Sequence, residues 1–366
     1  MEKIKLDDLC VPSARQIKED PDKLIDYIDI ASVDNENKKV TGFQTMSFGE
    51  APSRARKAVK KGSILVSTVR PNLNAVAILE DDTPNVSVAS TGFCILNCKD
   101  NVDNRFVFNF CKSKAFIEDM VSQATGASYP AVSDNIVRSA LVPNYPYEEQ
   151  CHISEILDRV SSAIEKRKVE LAILDDLIKA RFVEMFANWK KKYLAEPLGE
   201  YLQDITYGFT NPMPDAEEGP WKITAKDVVN GIVNLDTARK TLQESYDKLT
   251  EKSKPQLGDV LLTKDGTLGR TAVVEIEGMC VNQSVAVLRI NEKILPKYLS
   301  ILLQMPKYQR DMIADAGGGT IKHIYITKVV KMPIVVPSIE EQNTFLDFVN
   351  QVDKSKVVDI DKKDKL

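Results

Sequence analysis

A chain of 366 residues is longer than one hydrophobic core usually spans, so two or more domains are expected. Its composition, 43% hydrophobic and 28% charged, excludes wholesale disorder. The net charge of −4 excludes a uniformly basic nucleic-acid coat and leaves only local basic footprints.

The opening segment, MEKIKLDDLC, lacks the apolar core of a signal peptide. No run of about 18 apolar residues occurs, so no membrane span is expected. The six cysteines form no C-x-x-C pair and sit among apolar residues, which suits reduced thiols in a cytoplasmic protein. Two histidines, His152 and His323, are too few for a His-rich metal site and are expected on a helix face and in a loop. The basic stretches Arg54–Lys61, Lys190–Lys192 and Lys248–Lys254 read as solvated faces.

Short segments rich in Val and Ile follow, bounded by Gly, Pro, Asn and Asp, at 63–69, 74–80, 85–90 and 92–97. This is strand chemistry. One amphipathic helix is expected over about 103–123. From 148 to 186 the period changes. Ile153, Leu157, Val160, Ile164, Arg167, Leu171, Leu174, Ile178, Arg181 and Met185 alternate spacings of four and three, a heptad seam without Pro or Gly. Pro146 and two glutamates suit its N-terminus. Such a helix runs about 58 Å, longer than a domain needs for its own core. Strands are expected again at 259–264, 270–277 and 283–291, and a helix over 295–314.

The second half repeats the first. Glu149-Gln150 reappears as Glu341-Gln342, a shift of 192 (341 − 149). The same shift carries Leu6 onto Leu198, Phe106 onto Tyr298, Met120 onto Met312 and Ala124-Thr-Gly126 onto Ala316-Gly-Gly318. KGSILVS (61–67) resembles LGDVLLT (257–263) at a shift of 196 (258 − 62), so loop lengths differ there. The expected architecture is α+β: two β-rich globules, each followed by a helix. Their boundaries are 1–147, 148–187 for the long spacer helix, 188–338, and 339–366 for a shorter one. Ser338 and Glu341 have capping-box spacing. Phe345, Val349 and Val352 continue the stripe, so the two helices are expected to pair antiparallel about a pseudo-dyad. The unmatched remainder of the long seam is left for another protein. A strut holding two modules suits the two-fold symmetry of duplex DNA, and it equally suits a scaffold gripping two protein copies.

The order domain–helix–domain–helix resembles the specificity (S) subunit of type I restriction–modification systems. The resemblance rests on GSILVSTVRPNLNAVAI (62–78), ASTGFCIL (89–96), GASYPAVSDNIV (126–137) and P-x-x-P-Y-E-E-Q (143–150). LGDVLLTKDGTLGRTAVV (257–274) and VPSIEEQ (336–342) add to it, so nearly the whole chain is covered. It implies two target-recognition domains, each reading half of a bipartite site in double-stranded DNA. It further implies helices that dock two methyltransferase (M) subunits carrying S-adenosylmethionine, and restriction (R) subunits that use ATP and Mg. The short second helix departs from a symmetric pattern.

No chemistry of its own is expected. TNPMPD (210–215) is not an Asn/Asp-Pro-Pro-aromatic loop, and GTLGR and GGGT lack the following Lys-Ser/Thr of a phosphate loop. The acids of PDAEEG (214–219) stand in a turn-rich stretch without a strand-borne partner. The chain is therefore read as non-catalytic, binding no cofactor or metal. Base reading falls to polar loops: Thr68, Arg70, Asn72, Ser128 and Tyr129 in the first domain, and Tyr207, Thr210, Lys264, Thr267, Lys322 and His323 in the second. Asp265-Gly266 is read as the turn that presents Lys264. Ile153, Leu157, Val160, Ile164, Leu171, Leu174, Ile178, Phe345, Val349 and Val352 are the coiled-coil and docking residues.

Overall fold

The computed structural model describes residues 2–12, 16–186, 194–229, 231–314 and 323–356. Lys190–Lys192, the repeat positions 316–318, Lys322 and everything after Lys356 lie outside the described residues. The chain divides into two compact units, 1–167 and 168–366.

In the first unit, Phe93–Leu96, Ile64–Ser67 and Val76–Ile78 lie side by side in a five-stranded sheet completed by Lys39–Val40 and Val33–Asp34. Alternate side chains of these strands enter different cores, because strand side chains alternate faces. Ile64, Val66, Val76, Cys94 and Leu96 meet the helices, while Leu65, Ala77, Phe93 and Ile95 form a second cluster behind the sheet. Burial on both faces explains why these segments read as continuous apolar runs. A second, four-stranded sheet runs 44–47, 24–28, 86–90, 55–58. Its last strand, Ala55–Ala58, corrects the reading of Arg54–Lys61 as a solvated face. Ala55 is buried, Arg56 lies over the Phe48 ring, and Lys57 donates to the Phe93 carbonyl and pairs with Asp134.

The second unit repeats the pattern. Val285–Ile290, Val260–Thr263 and Thr271–Val273 keep the same order, with Leu202–Tyr207 on the outer edge. Val260, Leu262, Ala286 and Leu288 face the helices, and Leu261, Ala272, Val285 and Val287 face the other cluster. Both units also share a parallel pairing: Leu24–Ile28 with Val86–Ser90, and Ala216–Ile223 with Met279–Val281. The PDAEEG stretch thus leads into a strand, and Asp215 is engaged by Lys222 and Arg239.

Each expected 20-residue helix is two helices. Asn104–Lys112 stops at Ser113, whose hydroxyl accepts from the Phe116 N–H and opens Lys114–Gln123. In the second unit Pro296–Gln304 stops before Pro306, which begins Pro306–Ala314. A proline fits the first turn of a helix and disrupts an interior, so it resets the chain there.

The repeat holds down to single hydrogen bonds. Leu6 and Leu198 are both fully buried, and their N–H groups donate to Ala140 and Met332 carbonyls at 2.8 and 2.9 Å. Gly62 and Gly258 both hold φ +85°, left-handed backbone that favours glycine, at the turn before the central strand. The recurring Glu-Gln is explained by its glutamine. Gln150 Oε1 accepts from the Asp103 N–H at 3.0 Å and its Nε2 donates to the Tyr145 carbonyl at 2.8 Å. Gln342 does the same with Leu295 N–H at 2.8 Å and the Pro337 carbonyl at 2.9 Å. Each long helix is thereby pinned to the start of its domain's helical pair.

The central helix runs Tyr147–Phe186 and the second long helix Ile339–Lys356. The capping box forms: Ser338 Oγ accepts from the Glu341 N–H at 3.3 Å, and Glu341 accepts from the Ser338 N–H at 3.2 Å. Within the second unit the two helices pack antiparallel. Phe345 meets Phe182 and Phe186 at 5.6 and 5.9 Å between ring centroids, while Lys356, further along, pairs with Asp175, further back. Phe182 and Phe186 stand outside the heptad seam, because a straight helix of 3.6 residues per turn drifts off a strict repeat of seven.

Candidate nucleic-acid interface

Both units build their exposed loops by the same scheme. The chain leaves strands Ile64–Ser67 and Val260–Thr263 at Thr68 and at Lys264. The N–H groups of these two residues donate to the Gly92 and Ser284 carbonyls, each at 2.8 Å. Their own carbonyls accept from Val132 and Ile324 N–H, each at 2.9 Å. Val69 then bridges to Ala131, and Asp265 to His323. In each unit the loop after the strand is fused to the segment after the second short helix.

In the first unit this scheme consumes Thr68. Its side chain is buried and its hydroxyl donates to the Gly92 carbonyl at 2.9 Å, so it holds the loop and is not presented. Arg70 is presented. Its backbone sits at φ +50°, held by its N–H on the Pro130 carbonyl at 2.7 Å. Its guanidinium lies 4.8 Å from the centre of the Tyr129 ring, and Tyr129 is 68% exposed. Among the described residues no carboxylate pairs with Arg70, so its donors face solvent. Asn72 and Ser128 are exposed beside it. Sequence reasoning missed Lys38, whose ammonium donates to the Asn74 carbonyl at 2.6 Å in the same loop. Burial, and then the charge of Lys112, lower its pKa. Its only sequence signal was a lysine-containing turn.

In the second unit Tyr207 and Thr210 are exposed, and Gly208 between them is forced. A Cβ there would sit 1.7 Å from the Val281 carbonyl oxygen. Lys264 Nζ lies 5.4 Å from the Tyr207 ring centre, so a cation again rests over an aromatic. Asp265 is more than a turn residue. It accepts from Lys264 Nζ at 2.8 Å and contacts His323 Nδ1 at 2.5 Å. Burial raises its pKa, but the hydrogen bonds from Lys264 and His323 outweigh this and hold the carboxyl below the usual range. Thr267 is exposed, and its carbonyl accepts from the Thr263 hydroxyl. Lys248 and Lys252 line a cleft of about 440 Å³ with Tyr207, Phe209 and Thr210, so that basic stretch joins the same surface. Lys322 lies outside the described residues.

A cation lies over an aromatic ring in each unit, exposed at Arg70 and paired with Asp265 at Lys264, among Asn, Ser and Thr side chains of the kind that contact phosphates and base edges. Among the described residues no group of three or more His, Cys, Asp or Glu could hold a metal ion, and no helix is long and apolar enough to cross a membrane.

A family model described as the type I restriction modification DNA specificity domain matches residues 1–173 and 211–365. The chain belongs to this family. Among similar members is the EcoBI specificity subunit of Escherichia coli, 23% identical over 287 residues, covering 69% of this chain and 60% of that protein. The HindI specificity subunit of Haemophilus influenzae is 25% identical over 224 residues, covering 60% of this chain and 46% of that protein. The chain thus aligns with less than two thirds of either relative's length. Among solved structures, a chain from a study of complex assembly and conformational transition in a type I system superposes at TM-score 0.52. It is 22% identical, with 97% of this chain and 90% of that chain covered. The S subunit from M. genitalium gives 0.51 at 16% identity with the same coverage. These likenesses speak for the fold.

The helix residues divide into two sets. Ile153 packs against the first unit's core, while Ile178, Phe345, Val349 and Val352 are buried in the second unit's core, with Leu174 against it. Leu171 is half-buried. Leu157, Val160 and Ile164 are exposed, together with Ile156.

Proposed function

We propose that this chain is the sequence-reading subunit of a type I restriction–modification complex. Each unit reads one half of a bipartite site in duplex DNA. The observation that carries the reading is the loop scheme repeated in both units, beside which a cation lies over an exposed tyrosine: Arg70, open to solvent, on Tyr129, and Lys264, paired with Asp265, on Tyr207. Two such surfaces on one chain suit two half-sites better than one continuous site. The central helix, of 40 residues and about 60 Å of rise, is the part that would set the spacing between half-sites.

The partners follow from the same reading. Leu157, Val160 and Ile164 form an apolar stripe left exposed among the described residues and suit the docking of methyltransferase subunits, which would supply S-adenosylmethionine. Restriction subunits, with ATP and Mg, would join that complex. The complex would act in the cytoplasm. This chain contributes recognition and assembly and no bond-making step.

Single-molecule sequencing of the host genome, with and without this gene, tests the reading. A bipartite methylated-adenine motif should vanish when the gene is removed. Lys264→Ala should change methylation at one half-site only. Sequence-independent duplex binding in the presence of the methyltransferase subunit would instead make the chain a protein scaffold.

A further inference from the structure

Cys10 and Cys98 face each other as an antiparallel β-bridge in the first unit. The hydrogen bonds on either side are Val11 N–H to the Asn97 carbonyl at 2.8 Å and Lys99 N–H to the Leu9 carbonyl at 3.0 Å. These bonds bracket the cysteines, so the two occupy a non-hydrogen-bonded position of the ladder. Directly opposed residues there have Cα atoms about 4.5 Å apart. Disulfides span Cα separations of about 4.4–6.8 Å, so the backbone already stands where a bond would need it. Both cysteines are free thiols.

The surroundings distinguish the two sulfurs. The hydrogen bond from Cys98 lowers the pKa of Cys10. Burial opposes this, Arg138 assists, Asp7 opposes and Lys99 assists, and the net direction is down. Cys98, donor of that bond, is raised. The two thiols thus interact directly, and the contact favours the thiolate at Cys10, the form that thiol–disulfide chemistry uses. Cys10, itself buried, borders an open cleft of about 700 Å³ that Lys99, Arg138 and Asn135 also line. The remaining core thiols differ. Burial pushes Cys94 up to about 12 and Cys280 up to about 11, and raises Cys111 as well.

The second unit supplies an internal comparison. At the same shift of 192, its paired residues are Leu202 and Ile290, an apolar couple. The fold itself therefore asks only for two packed side chains at this point, and opposed thiols exceed that need.

We propose that Cys10 and Cys98 are a redox couple, converted by a peroxide into an intradomain disulfide that staples the 9–12 segment to the sheet of the first unit. In the first step the Cys10 thiolate attacks one peroxide oxygen, the O–O bond breaks, and the departing hydroxide takes a proton to become water. The product is a Cys10 sulfenic acid. The Cys98 sulfur, giving up its proton, then attacks the Cys10 sulfur and expels the hydroxyl as a second water. Two thiols and one hydrogen peroxide become one disulfide and two waters: the sulfurs are oxidised and the peroxide oxygens reduced. The bridge joins residues 88 positions apart (98 − 10) and so restrains a long stretch of the unfolded first unit.

The test uses the full chain treated with hydrogen peroxide in thiol-free buffer, followed by thiol counting, intact mass and peptide mapping. The expected result is protection of two of the six thiols, a loss of about 2 Da, and a single Cys10–Cys98 cross-linked peptide, all reversed by dithiothreitol. The midpoint of the first unit's thermal unfolding should rise by roughly 5–10 °C on oxidation. Cys10→Ser and the pair Cys10→Leu with Cys98→Ile, which copies the second unit, should abolish both effects while the chain stays folded. Six thiols left unreacted, a cross-link elsewhere, or Cys10 driven to sulfinic acid while Cys98 stays reduced would each overturn the proposal.

Discussion

Replacing Gln342 with leucine tests how a long helix is fastened to its domain. Gln342 is fully buried. It accepts from the Leu295 N–H at 2.8 Å and donates to the Lys293 and Pro337 carbonyls at 3.0 and 2.9 Å. Leucine keeps most of the volume and removes all three bonds. Leu295 caps Pro296–Gln304 without a side-chain cap of its own, so its N–H loses its acceptor. A buried unpaired donor costs about 1–3 kcal/mol, and the two carbonyls add roughly 0.5–1 kcal/mol each. The more apolar side chain returns about 1 kcal/mol. The net loss is about 1–4 kcal/mol, confined to the second unit. Calorimetry should show the second unit's transition moving down while the first stays in place. Hydrogen exchange at Leu295 should accelerate. Gln150→Leu, which removes two bonds in place of three, should cost less and act on the first unit. A shift under about 0.5 kcal/mol at Gln342, or one felt equally by both units, would show that the repeated glutamine is not the fastener.

Arg70→Ala removes an exposed guanidinium and should leave folding and assembly unchanged. Competition binding with variant duplexes should reveal relaxed selectivity at one base pair of one half-site, by about 1–3 kcal/mol if the contact is bidentate. Leu157→Asp with Val160→Asp alters side chains that are 39% and 51% exposed, so thermal stability should hold while co-purification with the methyltransferase subunit is lost. Asp353 carries the pH prediction. Burial raises its pKa, but hydrogen bonds from Lys297 and Lys356 outweigh this and leave it lowered. A carboxyl lowered on folding stabilises at pH above its unfolded value, near 4, and that contribution fades as pH falls through the folded value. Both Lys297 and Asp353 are partly exposed, which limits the gain to about 1 kcal/mol at most. Asp353→Asn should remove this acid sensitivity, as read by urea unfolding at pH 3 and pH 7.

Much of the architecture was legible because it rests on local regularities. Alternation of buried faces wrote Ile64–Ser67 and Val260–Thr263 as apolar runs, and the recurrence of Leu6, Gln150 and Gly62 as Leu198, Gln342 and Gly258 marked positions with one structural task each. Leu24–Ile28 and Ala216–Ile223 were missed. Their register is set by partners some 60 residues away, and their own residues are mixed in polarity.

The site was less legible, since the same residue type serves opposite ends. Thr68 and Thr267 are both loop threonines. The first is consumed by the Gly92 carbonyl and the second faces solvent, and only the neighbouring strand decides which. Asp265 looked like a turn former and is the hub joining Lys264 to His323, 58 positions later.

By itself the sequence determined the duplication, the two strand-rich units and the long helix, because hydrophobic period and turn chemistry act between near neighbours along the chain. Tertiary structure alone decided which stretch of the helix seam is covered. Ile178 is buried because Phe345 and Val349 arrive from some 170 residues downstream, while Val160 and Ile164, with the same spacing and chemistry, remain exposed. Burial is a property of the facing surface, and no periodicity within one segment encodes what packs against it.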